Sequence, residues 1–178
     1  MLNYSLKPFI PPPSPISMGV ELIKLEEAIE ISFCLKGAVD SLKLPHPLEN
    51  PERREGLFHH TCLEIFIRRG SDQYLEFNFS FTGEWCVFYF DGYRKKSMNP
   101  ITLDSTLFEL RHISHSASEA SLKVTIPLKK IDFIGVGEGT LGLSAVLEHP
   151  FNILSYWALV HTSTKPDFHQ AGSFIAKL

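Results

Sequence analysis

Apolar and polar residues change places at nearly every step along most of the chain. Ile29, Ile31, Phe33 and Leu35 alternate with Glu30, Ser32, Cys34 and Lys36 and stop at Gly37, which predicts a half-buried strand followed by a turn. Val20 and Leu22 suggest a strand just before it. The most regular run is YLEFNFSF, residues 74–81, where Phe77, Phe79 and Phe81 hold one parity and Glu76, Asn78 and Ser80 the other. Thr82-Gly83 joins it to EWCVFYF, residues 84–90, which predicts a hairpin. TCLEIFIRR, residues 61–69, reads as the strand before that hairpin, and consecutive strands of this kind are expected to lie adjacent and antiparallel. LFELRHIS and SLKVTIP form another expected pair, closed at Pro127 because proline cannot donate to a ladder. Leu141, Leu143, Ala145 and Leu147 then alternate with Gly142, Ser144, Val146 and Glu148, and SYWALVH and SFIAKL complete the set. Roughly nine or ten short strands separated by turn signals predict an all-β sandwich. LKKIDFIG offers one helical turn at most.

Within that frame the three phenylalanines of residues 74–81 are expected between the sheets, since exposing them would leave a sticky apolar stripe. Glu76, Asn78 and Ser80 then face outwards, on a surface expected to be hydrated when empty. Asparagine is disfavoured in mid-strand, so Asn78 calls for a compensating role.

The chain of 178 residues, 44% of them hydrophobic, is long enough for one sizeable core, so residues 19–178 are read as a single domain. Residues 1–18, with their IPPPSP run, read as a proline-rich arm leading to or lying along that domain. SLKLPHPLENPERREG, residues 41–56, reads as a long surface loop. The N-terminal stretch has no apolar run of signal-peptide length, and no segment approaches the apolar length of a membrane span. Cys34, Cys62 and Cys86 have no CxxC spacing and sit in apolar alternating segments, as reduced packed thiols do. These features together lead to the expectation of a cytoplasmic protein. With 17 Lys and Arg scattered against 20 Asp and Glu, net charge −3, neither nucleic acid nor a membrane surface is an expected partner.

Searches for chemistry return little. There is no GxSxG elbow, Walker loop, GxGxxG or HExxH. GVGEGTLG, residues 135–142, has the glycines of a phosphate loop without a preceding strand or a following helix, and reads as a turn. His60 and Cys62 lack a third orienting group, so a packed thiol is the expected state of Cys62. Among eight histidines, His60, His161 and His169 with Glu64 have the residue types of a metal site but not the spacing of one, and no metal is expected.

What remains is a sheet face that mixes carboxylates, an amide, hydroxyls and aromatic rings. Sugars present apolar C–H faces to ring planes and hydroxyl rims to paired donors and acceptors, so such a face suits a carbohydrate. The blocks HTCLEIFI, YLEFNFSFTGEW, FDGYR, LGLSAVLEH and SYWALVHTSTKPDFHQAGSF resemble the signature blocks of bacterial DOMON-like proteins, relatives of the family nine carbohydrate-binding modules. The likeness runs from Leu42 to the C-terminus. It implies an immunoglobulin-like antiparallel β-sandwich with a site for a sugar, or alternatively a haem, on one concave sheet. Phe58 stands where the group has tryptophan in LWxHTC, and Thr162 where proline follows the histidine in WALxHP; both departures weaken transfer of a binding site.

Residues and resemblance converge on Glu64, Asn78, Trp85, Tyr89, Trp157, His161, Lys165, Asp167 and His169, with His60 beside them. Trp85 and Trp157 would be stacking platforms, and Asn78, Glu64, Lys165 and Asp167 hydrogen-bonding groups. The expected function is a non-catalytic module that binds a saccharide or similar small polyhydroxylated molecule without a cofactor. A haem would need Met98, His161 or His169 as axial ligands, and a scaffold acting through protein contacts is a third class.

Overall fold

The computed structural model describes residues 1–178. Twelve strands form: β1 (Leu2–Pro8), β2 (Ile16–Lys24), β3 (Ala28–Gly37), β4 (Cys62–Arg69), β5 (Tyr74–Phe79), β6 (Trp85–Gly92), β7 (Lys95–Lys96), β8 (Glu109–His115), β9 (Glu119–Pro127), β10 (Gly139–Glu148), β11 (Leu154–Ala158) and β12 (Ala176–Lys177). Every ladder is antiparallel, in the order β7-β6-β5-β4-β10-β11-β1-β2-β3-β9-β8, with β12 beside β10. The helical segments are short 3-10 turns, the longest being Leu128–Ile134, where a helical turn was expected.

The strand β1 lies within residues 1–18, the stretch read as an arm leading to or lying along the domain. Leu2 to Leu6 pair with Leu22 to Met18 of β2, and Lys7 and Pro8 pair with Ala158 and Trp157 of β11. The first strand therefore leaves one sheet and enters the other, tying the two layers together. Its signal was the weak alternation of Leu2, Tyr4 and Leu6 against Asn3, Ser5 and Lys7, overshadowed by the prolines that follow.

The strands β4, β5 and β6 lie side by side as expected, with Ile65 opposite Phe77 and Phe77 opposite Val87. Phe77, Phe79 and Phe81 are fully buried in a core of 35 residues between the layers. Phe108 meets Phe79 and Trp85 edge-on at 4.9 and 5.1 Å. At about 25 cal/mol per Å² of apolar area, three such rings contribute several kcal/mol.

The other face of this sheet is not the hydrated surface expected. Glu76, Asn78 and Ser80 are 5, 1 and 6% exposed. Residues beyond β11 fold back over the sheet, and Phe66, Tyr74, Cys86, Phe88, Phe90 and Phe174 form a second apolar cluster with Phe168 packed against it. Gly142 makes this possible. A Cβ there would sit 2.5 Å from the Phe174 ring, and any side chain would lift Phe174 off the Phe66 ring it stacks on at 5.5 Å.

Candidate binding groove

The register of three ladders builds the floor of the site. Ser144, Glu64, Asn78 and Cys86 stand opposite one another across β10, β4, β5 and β6, and Gly142, Phe66, Glu76 and Phe88 form the next row. Glu64 and Glu76 are thus diagonal neighbours on one face, within reach of each other's charge. Above them opens a groove of about 590 Å³. Its walls are Phe88 and Phe90 of β6, Arg94 of the following turn, Lys96 of β7, and Val146, Leu154 and Tyr156 of β10 and β11. Phe58 and His59 also border it, and Pro166, Phe168 and His169 lie on the covering loop.

Burial and then the neighbouring Glu76 hold the Glu64 carboxyl well above the usual range. Burial raises Glu76 as well, opposed by the Asn78 amide and by the charges of Lys96 and Arg94. Asn78 Nδ2 donates to Glu76 Oε1 at 2.7 Å, and the Cys62 thiol donates to Asn78 Oδ1 at 3.5 Å. A carboxyl raised in this way keeps its proton to higher pH than a free one and can then donate a hydrogen bond, where an ionised neighbour only accepts.

A hydrogen-bonded chain borders the pair. The Arg94 N–H donates to Tyr74 Oη at 3.1 Å, and the Tyr74 hydroxyl shares a second hydrogen bond of 2.9 Å with His169 Nδ1. The other ring nitrogen of His169, Nε2, faces Glu76 Oε2 at 3.7 Å. Burial, then the Arg94 charge, hold the His169 pKa down to about 4, so at neutral pH this contact is not an ion pair. Asp167 pins the loop above by accepting from Tyr93 Oη at 2.6 Å, Arg94 Nη2 at 2.8 Å, Gln170 Nε2 at 3.0 Å and the His169 N–H at 3.2 Å. Burial opposes its charge, but those donors win and hold its carboxyl below the usual range. The Lys96 ammonium lies 4.1 Å from the centre of the Phe88 ring.

A second cavity of about 430 Å³ adjoins the groove. Gly56, at φ +79, turns the chain into the 3-10 turn Leu57–His59. Phe58 and His59 border the groove, and Leu57 and His60 border the second cavity. There Glu148 accepts from Lys43 Nζ and His60 Nδ1, both at 2.7 Å, and these partners outweigh burial to hold its carboxyl below the usual range. Opposite, Arg54 Nη1 reaches Glu84 at 3.3 Å, and Thr82 Oγ1 donates to Glu84 Oε2 at 2.8 Å.

Of the residues singled out from the sequence, Glu64 and His169 line the groove, Asn78 supports its floor, and Asp167 anchors its cover. His60 belongs to the second cavity. Trp85, Tyr89 and Trp157 are on the other side of the sheet, in the core, and are not platforms on this face. Trp157 pairs with Ala145 and its indole N–H is spent on Ser155 Oγ at 2.9 Å. His161 is turned away, its Nε2 bonded to the Lys7 carbonyl at 2.8 Å, and Lys165 is exposed on the loop. Among Met98, His161 and His169, only His169 borders the groove, and Met98 is 93% exposed. Sequence reasoning passed over Glu76 as a site residue, and missed Phe88, Arg94, Lys96, Tyr156 and Phe168. Parity was the available signal, since Phe88 shares a face with Cys86, which pairs with Asn78.

The fold is an all-β, antiparallel sandwich. No family model matches the chain, and no curated protein matches it in sequence. Solved structures do. A Bacteroides uniformis protein provisionally named as carbohydrate-binding superposes with TM-score 0.64 at 13% identity, over 99% of this chain and 84% of that one. A family 9 carbohydrate-binding module from Caldicellulosiruptor kristjanssonii in complex with cellotriose gives 0.62 at 9% identity, over 99% and 80%. A family 9 module from the same organism in complex with glucose gives 0.51 at 10%, over 85% and 73%. At these identities the likeness is one of fold.

Proposed function

We propose that this chain is a non-catalytic, DOMON-like ligand-binding module that holds a saccharide, or a similar small polyhydroxylated molecule, in the groove above Glu64 and Glu76. The observation that carries the reading is the meeting of ring faces and a carboxyl pair in one cavity. Tyr156, Phe168 and Phe58 border it from the loops and from β11, where apolar C–H faces of a sugar can lie against them. The carboxyl pair supplies a donor and an acceptor side by side, the combination a pair of vicinal hydroxyls needs. Arg94 and the neutral His169 add directed polar groups at the rim, already oriented by Asp167 and Tyr74. Two saccharide complexes of family 9 carbohydrate-binding modules that share the fold, with cellotriose and with glucose, support the same ligand class.

The test is calorimetry on the full chain, guided by a glycan array, with Tyr156→Ala and Phe168→Ala beside the wild type. Each truncation is expected to weaken binding by up to about tenfold, what one stacking ring contributes. A wild-type protein that binds no saccharide at millimolar concentration overturns the reading.

A further inference from the structure

We infer that the groove and the neighbouring polar cavity are two subsites of one surface, and that the ligand is a neutral oligosaccharide passing over Phe58 rather than a single sugar ring. The inference rests on the saccharide reading of the groove and deepens it.

Three observations lead there. The two cavities share one sheet face and run on along the strands. On β10, Val146 borders the groove, and Glu148, the next outward residue, borders the second cavity. From Glu76 in the groove to Ser80 in the second cavity is about 13 Å along the chain. The two cavities share the Leu57–His59 turn, Phe58 and His59 bordering the groove and Leu57 the second cavity, and the Phe58 ring is 42% exposed.

The second cavity also has the chemistry of an extension and not of an independent site. Its cations are already neutralised in place: Lys43 on Glu148, which also accepts from His60, and Arg54 on Glu84. An anion would have to displace a carboxylate to bind there. A neutral chain of hydroxyls would instead find donors and acceptors at fixed positions, because each pair leaves spare N–H groups and lone pairs. The Thr61, Thr82 and Ser80 hydroxyls border the same space. No phenylalanine, tyrosine or tryptophan lines it, so a sugar unit there would be held by hydrogen bonds while the groove supplies the ring contacts.

The experiment is titration calorimetry of glucose, cellobiose and cellotriose into the full chain and into Arg54→Ala and Lys43→Met. Both side chains are largely exposed, 60 and 47%, so both variants should fold, which a thermal melt checks. In the wild type, affinity is expected to rise about tenfold from glucose to cellotriose, equal to about 1.4 kcal/mol, or two net hydrogen bonds. In at least one variant the trisaccharide advantage should shrink to within about twofold. If glucose binds as tightly as cellotriose, or both variants keep the full advantage, the extended surface is wrong while the groove reading stands. Failure of all three sugars to bind overturns both.

Discussion

Replacing Asn78 by alanine should cost far more than an outward-facing residue on a strand normally does. Asn78 is 1% exposed and gives the buried Glu76 carboxyl a hydrogen bond of 2.7 Å, while taking one from the Cys62 thiol. A hydrogen bond to a buried charged group contributes about 1.5–3 kcal/mol, and the void left by the amide adds about 1 kcal/mol. The expected loss is therefore about 2–4 kcal/mol. Its pH dependence is a sharper signature. Glu76 has its pKa raised in the folded state, so its contribution is present below its unfolded pKa and is lost as pH rises through the folded one. The Asn78 amide opposes that rise, and removing it pushes Glu76 further up. Asn78→Ala should consequently lose more stability at about pH 8 than at about pH 5. Urea unfolding of both proteins at the two pH values, followed by the fluorescence of the buried Trp85 and Trp157, measures this. A loss below about 0.5 kcal/mol, typical of an ordinary surface position, or one equal at both pH values, would refute the reasoning.

Three further outcomes are expected. The His169 imidazole should titrate near 4 by NMR, and because its folded pKa lies below the free value of 6.5, it should cost stability as pH falls between the two; a midpoint at or above 6.5 contradicts the buried hydrogen-bonded chain. Tyr74→Phe removes the hydroxyl between the Arg94 N–H and His169 Nδ1 and should destabilise by about 1–3 kcal/mol in denaturant titrations, since both partners lose a bond. Trp157→Ala should cost about 3–5 kcal/mol of stability as a core truncation, yet leave the saccharide affinity of the folded fraction within about twofold of wild type by calorimetry; a selective loss of affinity would put the indole back on the binding face.

How much of this was legible depended on whether one parity or both were apolar. In YLEFNF the polar row was unmistakable, so the inward set Phe77 and Phe79 was readable, as was the sharing of one face by Glu76 and Asn78. In WCVFYF both parities are apolar, and the faces of Trp85 and Phe88 are set by pairing with β5: Phe79 opposite Trp85, Glu76 opposite Phe88. Choosing aromatics by type placed Trp85, Tyr89 and Trp157 on the ligand face, where register puts them in the core. The depth of the polar row was not readable either. Alternation reports which residues share a face, but the covering segment around Phe168 and Phe174 has no periodicity of its own, and it packs on Phe66 and Tyr74 about a hundred residues away in sequence. Arg94 escaped for a similar reason, since its place beside the groove comes from Asp167, 73 residues later.

The most direct test of the saccharide groove is amide chemical-shift mapping of the full chain as sugar is added, with glucose and cellotriose as probes. The largest shifts should fall on Phe58, Glu64, Glu76, Phe88, Arg94, Tyr156, Phe168 and His169, with His60 and Glu84 joining only for the trisaccharide. Shifts confined to the opposite sheet, around β3 and β9, or none at saturating sugar, would contradict the account.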